Sequence, residues 1–383
     1  MKNAFLKGAS CTKLFVMFVV LFTSYHLYAQ QYLFIGSYNW DKAKPGMYVY
    51  EMDSANGSLK QVSLLYDILN PSYLTLSPDG RYVYAGTESQ TPNAGSVTAF
   101  SFDPAVGKLA FINNQKSGGE NPVYLSVNKT GKWLVDANYS QASISVYPLA
   151  ADGRIEAARQ FIPFTDSSVD KERQDRAHIH SAVFSPKQDY IFFPDLGADK
   201  ICCFAFDPSQ TEPLQPAEHP YTATVPGGGP RHFAFHPNGK YAYCIEEMGG
   251  YITAYNYNNG KLDSMQRIAT HKHKIKAGYG SADIHLSPDG LFLYASNRNK
   301  ENNIAIFSVD QQTGKLSHIG YQSVFGNHPR NFVIDPTGKF LLVANQISGN
   351  VVVFNRDVTT GLLSATATEL NIPGVSCLQI KRY

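Results

Sequence analysis

An arginine and a glutamate lie near the two ends of a predicted β-hairpin over residues 229–247. The turn at residues 236–239 reads His-Pro-Asn-Gly, and Pro in its second place with Gly in its fourth is typical of a type I turn. Apolar residues alternate on both sides of this turn, as they do in half-buried strands. Because the free ends of an antiparallel hairpin are neighbours, Arg231 and Glu247 should share one sheet edge. A guanidinium beside a carboxylate suits anion binding or acid–base chemistry.

The same hairpin recurs along the chain at intervals of about 50 residues. Its turns begin at residues 77, 128, 185, 236, 287 and 335. A period of this length indicates a solenoid, a propeller or an array. A second series of strands, each followed by a turn that is usually Gly-rich, begins at residues 46, 95, 142, 200, 250, 303 and 349. The second series therefore counts seven units.

The two chain ends supply the hairpin that the seventh unit lacks. Residues 32–37 match the second strand of the repeat, and residues 375–380 match its first strand. The sequence thus predicts an all-β fold, a seven-bladed β-propeller of four-stranded antiparallel blades with one blade closed by both chain termini. Such closure removes free sheet edges. We find no linker within residues 30–383 and interpret them as a single domain.

Alignment on the turns predicts which side chains surround one mouth of the propeller channel. The starts of the first strands hold Ser72, Val123, His180, Arg231, Ala282, Arg330 and Ser376. The ends of the second strands hold Tyr38, Glu88, Tyr139, Leu196, Glu247, Arg298 and Gln346. Polar side chains therefore concentrate on consecutive blades.

This asymmetry indicates a specific ligand, because the repeat itself needs no charge at these positions. Arg231, Arg298 and Arg330 suit a carboxylate or a phosphate, since a guanidinium donates in a bidentate fork. His180 or Glu247 would then serve as the general base or acid. The alternative is that the arginines and Glu247 form ion pairs between blades that serve only the fold.

Two features beside His180 have more than one interpretation. His178 and His180 lie two residues apart on a strand and face the same way, which is also a metal-ligand spacing, with Asp283 or Asp195 as further ligands. We favour an orienting or structural role for His178 and predict no metal and no cofactor. The charged segment at residues 161–176 is either a lid over a pocket or a surface elaboration.

Composition and the N-terminal residues narrow the function classes. A net charge of +2 with 17% charged residues gives no basic stripe, so we expect no nucleic-acid partner. Lysines, an apolar run at residues 14–22 and a small residue at Ala29 are typical of a secretory signal peptide over residues 1–29. The apolar run is short for a membrane span, so we expect a protein that is exported to the periplasm or beyond, without a stable membrane anchor.

Four cysteines follow the predicted signal peptide, at Cys202, Cys203, Cys244 and Cys377. The favoured interpretation treats them as small buried apolar side chains. The alternative is a disulfide from Cys202 or Cys203 to Cys244, because an exported protein permits one.

Several motifs resemble those of the seven-bladed propeller lactonase family. They are His-Ile-His-Ser at 178–181, Gly-Pro-Arg-His at 229–232, the run at 282–290 with Ser-Asn-Arg at 296–298, and His-Pro-Arg at 328–330. That family contains the bacterial propeller 6-phosphogluconolactonase and the fungal carboxy-muconate lactonising enzyme. The resemblance covers nearly the whole chain after residue 29.

The resemblance implies an activity and a set of site residues. Its motif positions imply four catalytic residues, His180, Arg231, Glu247 and Arg298. The substrate-binding candidates are His178, His232, Asp283 and Arg330. Our leading hypothesis is a metal-independent hydrolase, similar to 6-phosphogluconolactonase, that opens a small-molecule sugar or sugar-acid lactone. The alternatives are a lactone-forming cycloisomerase of the muconate type and a non-catalytic exported propeller that binds a glycan or a protein.

Overall fold

A computed structural model of the chain describes Met1 and residues 30–89, 95–274 and 278–383. The signal peptide predicted over residues 1–29 lies, apart from Met1, outside the described residues. Within the described ranges, 28 strands form seven four-stranded antiparallel sheets, and these are the blades of a propeller. No helix among these residues has the length and apolarity that crossing a membrane requires.

The first half of the chain forms three complete blades and most of the closing blade. The closing blade takes β1 (Gln31–Ser37), β2 (Met47–Met52) and β3 (Leu59–Leu65). Blade 1 contains β4 (Pro71–Leu76), β5 (Tyr82–Thr87), β6 (Ser96–Asp103) and β7 (Lys108–Lys116). Blade 2 contains β8 (Pro122–Val127), β9 (Trp133–Asn138), β10 (Ser143–Pro148) and β11 (Gln160–Pro163). Blade 3 contains β12 (Val183–Phe184), β13 (Tyr190–Asp195), β14 (Lys200–Phe206) and β15 (Leu214–Ala223).

The second half forms three more blades and the last strand. Blade 4 contains β16 (Pro230–Phe235), β17 (Tyr241–Glu246), β18 (Tyr251–Asn258) and β19 (Lys261–Ala269). Blade 5 contains β20 (Ser281–Leu286), β21 (Phe292–Asn297), β22 (Asn303–Val309) and β23 (Leu316–Ser323). Blade 6 contains β24 (Pro329–Ile334), β25 (Phe340–Asn345), β26 (Asn350–Arg356) and β27 (Leu363–Asn371). The last strand is β28 (Val375–Arg382).

The predicted closure by both chain ends is confirmed. β28 pairs with β1 in antiparallel register, from Gln31 opposite Arg382 to Gly36 opposite Cys377. The closing blade has the order β28, β1, β2, β3, so its innermost strand comes from the C-terminal end. The ring is therefore held shut by backbone hydrogen bonds between the two ends of the domain.

A β-bulge near the start of the innermost strand recurs in several blades. In β16 the pairing passes from Pro230 opposite Glu246 to His232 opposite Ile245, so Arg231 is the extra residue. Ser72, Val123 and Arg330 occupy the same bulged position in their blades. A bulge re-aims side chains that strict alternation would separate. Consecutive residues such as Arg231 and His232 consequently both line the channel.

The hydrophobic core lies between neighbouring blades. Between blades 4 and 5, for example, Tyr243 and Ile245 pack against Leu293 and Phe307, and all four are fully enclosed. The Tyr243 hydroxyl also donates to the carbonyl of Gly314 at 2.8 Å and so crosses the blade boundary. These contacts hold adjacent innermost strands at a fixed distance, which gives the channel a rigid wall.

The four cysteines are buried and free. Cys203 and Cys244 belong to one apolar cluster between blades 3 and 4, and Cys202 faces the other side of its strand, toward blade 2. The alternative of a disulfide to Cys244 is therefore wrong for this structure. The interpretation of these cysteines as small apolar side chains is confirmed.

Candidate active site

Glu247 is the centre of an ion-pair cluster at the channel mouth. Its Oε2 accepts a hydrogen bond from Nε of Arg231 at 3.0 Å and lies 2.9 Å from Nη2 of Arg298. Its Oε1 accepts from Nη2 of Arg173 at 2.6 Å. Burial disfavours the charged carboxylate, but the three guanidinium groups outweigh this cost and hold the pKa of Glu247 well below its usual range. Glu247 is therefore an anion at neutral pH.

The two arginines of the predicted catalytic set are fixed by backbone carbonyls as well. Arg231 is only 1% exposed, and its Nη1 donates to the carbonyl of Ala282 at 2.7 Å. Burial, together with Arg298 and Arg330, lowers the pKa of Arg231 to about 9, so the group remains a cation at neutral pH. Arg298 donates from Nε to the carbonyl of Gly280 at 2.8 Å. Both guanidinium groups are thus held before any ligand arrives.

His180 presents a buried imidazole to the same mouth. The residue is 5% exposed, and its Nδ1 is buried without a hydrogen-bond partner. Burial, reinforced by the positive charge of Arg231, holds the pKa of His180 well below its usual range. The ring is neutral at pH 7 and carries a lone pair that can accept a proton. This is the protonation state that a general base requires.

Arg330 lines the same cavity as this cluster. Its guanidinium lies 5.5 Å from the ring centre of Tyr38 and 3.9 Å from Oε1 of Glu88. The hydroxyl of Tyr38 donates to the same carboxylate oxygen at 2.6 Å. Arg330 has no closer carboxylate partner among the ion pairs of the described residues, so it is the arginine best placed to bind an anionic ligand group.

His178 lies behind His180 and does not line the mouth cavity. Its ring stacks on Tyr139 with ring centres 4.4 Å apart, and Tyr139 meets His180 edge-on at 5.3 Å. The backbone N–H of His178 donates to Asp195 at 2.8 Å. This placement fits the orienting role considered for His178, and a direct contact of His178 with substrate stays a prediction.

His232 and Asp283 lie one layer below the mouth. Nδ1 of His232 is 2.6 Å from Oδ1 of Asp283. The other carboxylate oxygen accepts from Asn331 Nδ2 at 2.6 Å and from the backbone N–H of Phe332 at 3.1 Å, and it lies 3.1 Å from Nε2 of His285. Protein donors thus occupy both oxygens of Asp283. This argues against the direct substrate contact that the sequence predicted for Asp283.

Arg173 is the site residue that the sequence did not single out. It lies on the connection between β11 and β12, and its guanidinium reaches Glu247 and, at 3.4 Å, the hydroxyl of Tyr139. The connection is anchored by the fully buried Gln174, whose Nε2 donates to the carbonyl of Leu196 at 2.9 Å. Of the two interpretations of residues 161–176, the structure favours a segment that covers the pocket.

The adjacent carboxylates Glu246 and Glu247 have separate environments. Glu246 is paired with Arg267 at 2.7 Å and accepts from the hydroxyl of Thr253 at 2.9 Å, on the side of the strand away from the mouth. Only Glu247 joins the arginines of the channel. The structure therefore resolves which of the two glutamates belongs to the site.

Two adjoining cavities meet at this cluster. The inner cavity, of about 320 Å³, is lined by residues that include Tyr38, Glu88, Tyr139, His180 and Arg330. The outer cavity, of about 520 Å³, is lined by residues that include Asp170, Met248, Tyr279, Asn299 and His328. Arg173, Glu247 and Arg298 line both cavities. The combined space is large enough for a sugar-sized ligand.

A third large depression, of about 580 Å³, lies among the turns at the opposite end of the strands. Its charged lining includes Arg81 and Asp79, which form an exposed ion pair with each other. An exposed pair of this kind contributes little energy, because water screens the two charges. The mouth cavities, with their buried charges, are the better candidate for chemistry.

The metal alternative receives no support from the geometry. Among the described residues, no group of three or more His, Cys, Asp or Glu side chains is arranged to hold a metal ion. Nδ1 of His178 lies 2.9 Å from the carbonyl oxygen of Tyr139, and the carboxylate of Asp195 accepts from backbone N–H groups. The two histidines and the two candidate carboxylates therefore do not converge.

Comparison with known proteins agrees with this architecture. A family model described as "Lactonase, 7-bladed beta-propeller" matches residues 32–380. The chain belongs to the seven-bladed β-propeller lactonase family. The resemblance found in the sequence motifs is thereby confirmed.

Named members of the family are similar over nearly their whole length. A 6-phosphogluconolactonase of Formosa agariphila is 44% identical over 354 residues, which cover 92% of this chain and 99% of the relative. A 6-phosphogluconolactonase of Bacillus subtilis is 32% identical over 349 residues, which cover 90% of this chain and 97% of the relative. The solved structure of the periplasmic gluconolactonase PpgL of Pseudomonas aeruginosa superimposes with a TM-score of 0.87 at 34% identity. The match covers 92% of this chain and 99% of PpgL.

Proposed function

We propose that this protein hydrolyses a sugar-acid lactone at the mouth of the propeller channel, with a 6-phosphogluconolactone or a gluconolactone as substrate class. The observation that carries the proposal is the cluster of four guanidinium groups beside a neutral, buried imidazole. Arg173, Arg231 and Arg298 surround Glu247, and Arg330 lines the same inner cavity as Glu247. The names of the similar proteins support the same reaction class.

His180, rather than Glu247, is the base in this proposal. Three guanidinium groups bind the Glu247 carboxylate and stabilise its anionic form, which makes it a weak proton acceptor. The imidazole of His180 is neutral, and its buried Nδ1 leaves Nε2 as the ring nitrogen that faces the mouth. The role of Glu247 is to hold Arg231 and Arg298 in place.

The reaction follows from these assignments. Nε2 of His180 takes a proton from a water molecule as the water oxygen bonds to the lactone carbonyl carbon. Arg231 and Arg298 stabilise the negative charge that develops on the carbonyl oxygen. The bond from the acyl carbon to the ring oxygen then breaks, and His180 returns the proton to that oxygen. The product is a hydroxy acid whose carboxylate remains near the arginines.

Arg330 and Arg173 are assigned to the anionic group of the substrate. Both line the inner cavity, and Arg173 is 47% exposed at its side chain, so it can exchange Glu247 for a ligand anion. A phosphate or carboxylate accepts two parallel hydrogen bonds from a guanidinium. This arrangement favours a substrate that carries such a group over a neutral lactone.

The proposal includes export of the protein. The N-terminal residues have the pattern of a signal peptide, and the similar protein of Pseudomonas aeruginosa is described as periplasmic. Fractionation of cells, with sequencing of the mature N-terminus, tests this part. A full-length protein that remains in the cytoplasm would contradict it.

The activity is tested with protein from Gln30 onward on 6-phosphogluconolactone, gluconolactone and galactonolactone, with and without EDTA. We expect EDTA-resistant turnover that falls about 100-fold or more in Arg231→Ala, because an oxyanion donor is lost. Arg356→Ala is the matched control, since Arg356 is equally buried but bonds Tyr294 and Gly338 away from the mouth. Turnover no faster than spontaneous opening would contradict the proposal and favour the cycloisomerase or the binding propeller.

A further inference from the structure

Three rings of residues at matching positions follow one another along the innermost strands, counted from the mouth downward. The mouth ring is Ser72, Val123, His180, Arg231, Ala282, Arg330 and Ser376. The second ring, one residue further along each innermost strand, is Tyr73, Tyr124, Ser181, His232, Asp283, Asn331 and Cys377. The third ring, two residues further again, is Thr75, Ser126, Val183, Ala234, His285, Val333 and Gln379. All seven members of the third ring are half-buried, so the channel begins to open to solvent at this level.

A chain of hydrogen bonds connects the second ring with the third. His232 binds Oδ1 of Asp283 through Nδ1, and Oδ2 of Asp283 binds Nε2 of His285. Asp283 is the one carboxylate in the three rings, all of whose members are described residues. Burial disfavours the charged imidazole of His285, but the carboxylate of Asp283 outweighs this effect and raises the pKa of His285. Asp283 and His285 therefore resemble an ion pair at the lower end of the channel. The proposed reaction does not use this chain.

An axial cavity adjoins His180 and His232, whose rings meet edge-on with ring centres 5.3 Å apart. The cavity measures about 10 Å³, which is room for about one water molecule. Its lining includes His180 above and His232 below. Two polar atoms in this lining, Nδ1 of His180 and Oγ of Ser72, are buried without any partner. A buried water molecule supplies partners to groups of this kind.

The titratable side chains that face His180 come from several elements. They are Arg231 and His232 of β16, Arg330 of β24, Tyr73 of β4, Tyr139 after β9 and, across the mouth cavity, Glu247 after β17. Besides the backbone carbonyl of His180 itself, which favours the protonated ring, the axial cavity offers Nδ1 of His180 a route to an acceptor. An acceptor at Nδ1 holds the single proton of the neutral ring on that nitrogen. Nε2 then keeps the lone pair that a general base needs.

We propose that one water molecule in the axial cavity joins Nδ1 of His180 to His232. Through this chain, Asp283 and His285 act as positioning residues that keep His180 protonated on Nδ1 and free on Nε2. The inference rests on the proposed function, in which His180 is the base. It assigns a task to a buried carboxylate and a half-buried histidine that do not touch the substrate.

The Asp283→Asn variant tests the direction of the chain. Oδ2 of Asp283 meets three donors, Asn331 Nδ2, the N–H of Phe332 and Nε2 of His285, whereas Oδ1 meets one backbone donor, the N–H of Ile284 at 2.9 Å, beside His232. The amide oxygen of Asn therefore takes the Oδ2 position, at the cost of the hydrogen bond from Ile284. Its NH₂ group then donates to Nδ1 of His232, whereas the carboxylate accepted from it. Each hydrogen bond from His232 through the water molecule to Nδ1 of His180 reverses its direction as a result. We expect ¹⁵N NMR of histidine-labelled protein to show His180 as the Nδ1–H tautomer in the wild type and as the Nε2–H tautomer in the variant. His180→Gln assigns the signal.

Kinetics provide the second readout. We expect Asp283→Asn to lower kcat about tenfold or more with KM nearly unchanged, because the arginines that bind substrate are untouched. Thr75→Val is the matched control, since Thr75 shares the third ring with His285 but lies outside the chain. The kcat of His285→Gln should lie between the kcat of Asp283→Asn and that of Thr75→Val. A folded Asp283→Asn variant with an unchanged His180 tautomer overturns the inference.

Two further outcomes separate the possible failures. If Asp283→Asn does not fold, Ser72→Val fills the axial cavity and should cause the same loss of the Nδ1–H tautomer, and an unchanged tautomer there also overturns the chain. The NMR readout needs no turnover. An inactive wild type therefore contradicts the proposed function, whereas an active wild type whose variants keep the tautomer contradicts only the positioning chain.

Discussion

At the scale of single residues, the environment of each titratable group decides its role. Glu247 and His180 both line the inner cavity, and both are candidate bases by residue type. Three guanidinium groups stabilise the anion of Glu247, while burial and the neighbouring positive charge keep His180 neutral. The positive charge of the arginines therefore makes Glu247 a weak proton acceptor and keeps His180 in the neutral form that a base requires.

The pH dependence of activity should report His180. Only the neutral imidazole accepts a proton, so kcat/KM falls as pH falls through the pKa of this group in the free enzyme. Because that pKa is depressed, the acidic limb should lie below the ordinary histidine value of about 6.5. A pH-rate profile with a buffer-matched spontaneous rate measures it. An acidic limb at or above the ordinary histidine value would contradict the assignment.

Replacement of Glu247 should damage the site without removing the base. Glu247→Gln leaves three guanidinium groups without their counter-ion, and breaking a buried pair costs about 3 kcal/mol of unfolding free energy. We expect a lower melting temperature and a lower kcat, with the acidic limb retained. Glu246→Gln is the neighbouring control and should keep kcat. Loss of the limb in Glu247→Gln would instead identify Glu247 as the base.

The stabilisation from Glu247 also has a defined pH window. Its folded pKa is depressed, so the contribution is fully present above the unfolded value of about 4.3 and is lost as pH falls through the folded pKa. Unfolding of the wild type and of Glu247→Gln should therefore converge in acid. Thermal unfolding from pH 7 downward tests this, and a constant difference at all pH values would contradict it.

At the scale of elements, the connection between β11 and β12 completes a site that the blades only begin. The blades supply Arg298 and Arg330 to the inner cavity and Arg231 to the axial cavity, and the connection brings Arg173 into the lining of the inner cavity. Gln174 anchors it beneath the surface, while the neighbouring Arg173 remains half exposed. A fixed backbone with a half-exposed side chain can cover a ligand without a large rearrangement.

Arg173 should therefore affect binding more than chemistry. We expect Arg173→Ala to raise KM for a phosphorylated lactone about tenfold, with a smaller rise for the plain lactone and little change in kcat. Arg176→Ala is the control, because Arg176 lies on the same connection and pairs with Asp175 in solvent. An equal loss with both lactones would show that Arg173 serves only the ion pair with Glu247.

At the scale of the whole molecule, the closing blade differs from the other six described blades. No turn connects its innermost strand, β28, to the neighbouring strand β1. β28 is held to β1 by backbone pairing and to its neighbours by apolar packing, with Leu378 only 1% exposed. Asn331 Oδ1 also accepts the backbone N–H of Leu378 at 2.7 Å and links the closing strand to blade 6.

Loosening this strand should open the ring at one place. Leu378→Ala is expected to cost about 3 kcal/mol and to speed hydrogen exchange in β28 and β1 together. Leu125→Ala is the matched control, at the same register position in a blade of contiguous strands, with 2% exposure. Its faster exchange should centre on blade 2. Exchange that rises equally around the ring in both variants would show that the propeller opens only as a whole.

The sequence by itself determined the architecture and most of the mouth. The repeat of about 50 residues fixed the number of units, the matching ends fixed the closure, and the turns gave the register that brings His180, Arg231 and Arg298 to one level. These features are readable because turn chemistry and apolar alternation are local properties of the chain. The family motifs added the reaction class.

Only the tertiary structure decided the details on which the chemistry depends. Strict alternation places neighbouring residues on opposite faces, but the bulge at Arg231 turns both Arg231 and His232 into the channel. The choice between Glu246 and Glu247 and the arrival of Arg173 from a connection outside the repeat likewise depend on contacts between distant segments. No periodic pattern encodes such contacts, because they arise when separate blades and loops pack together.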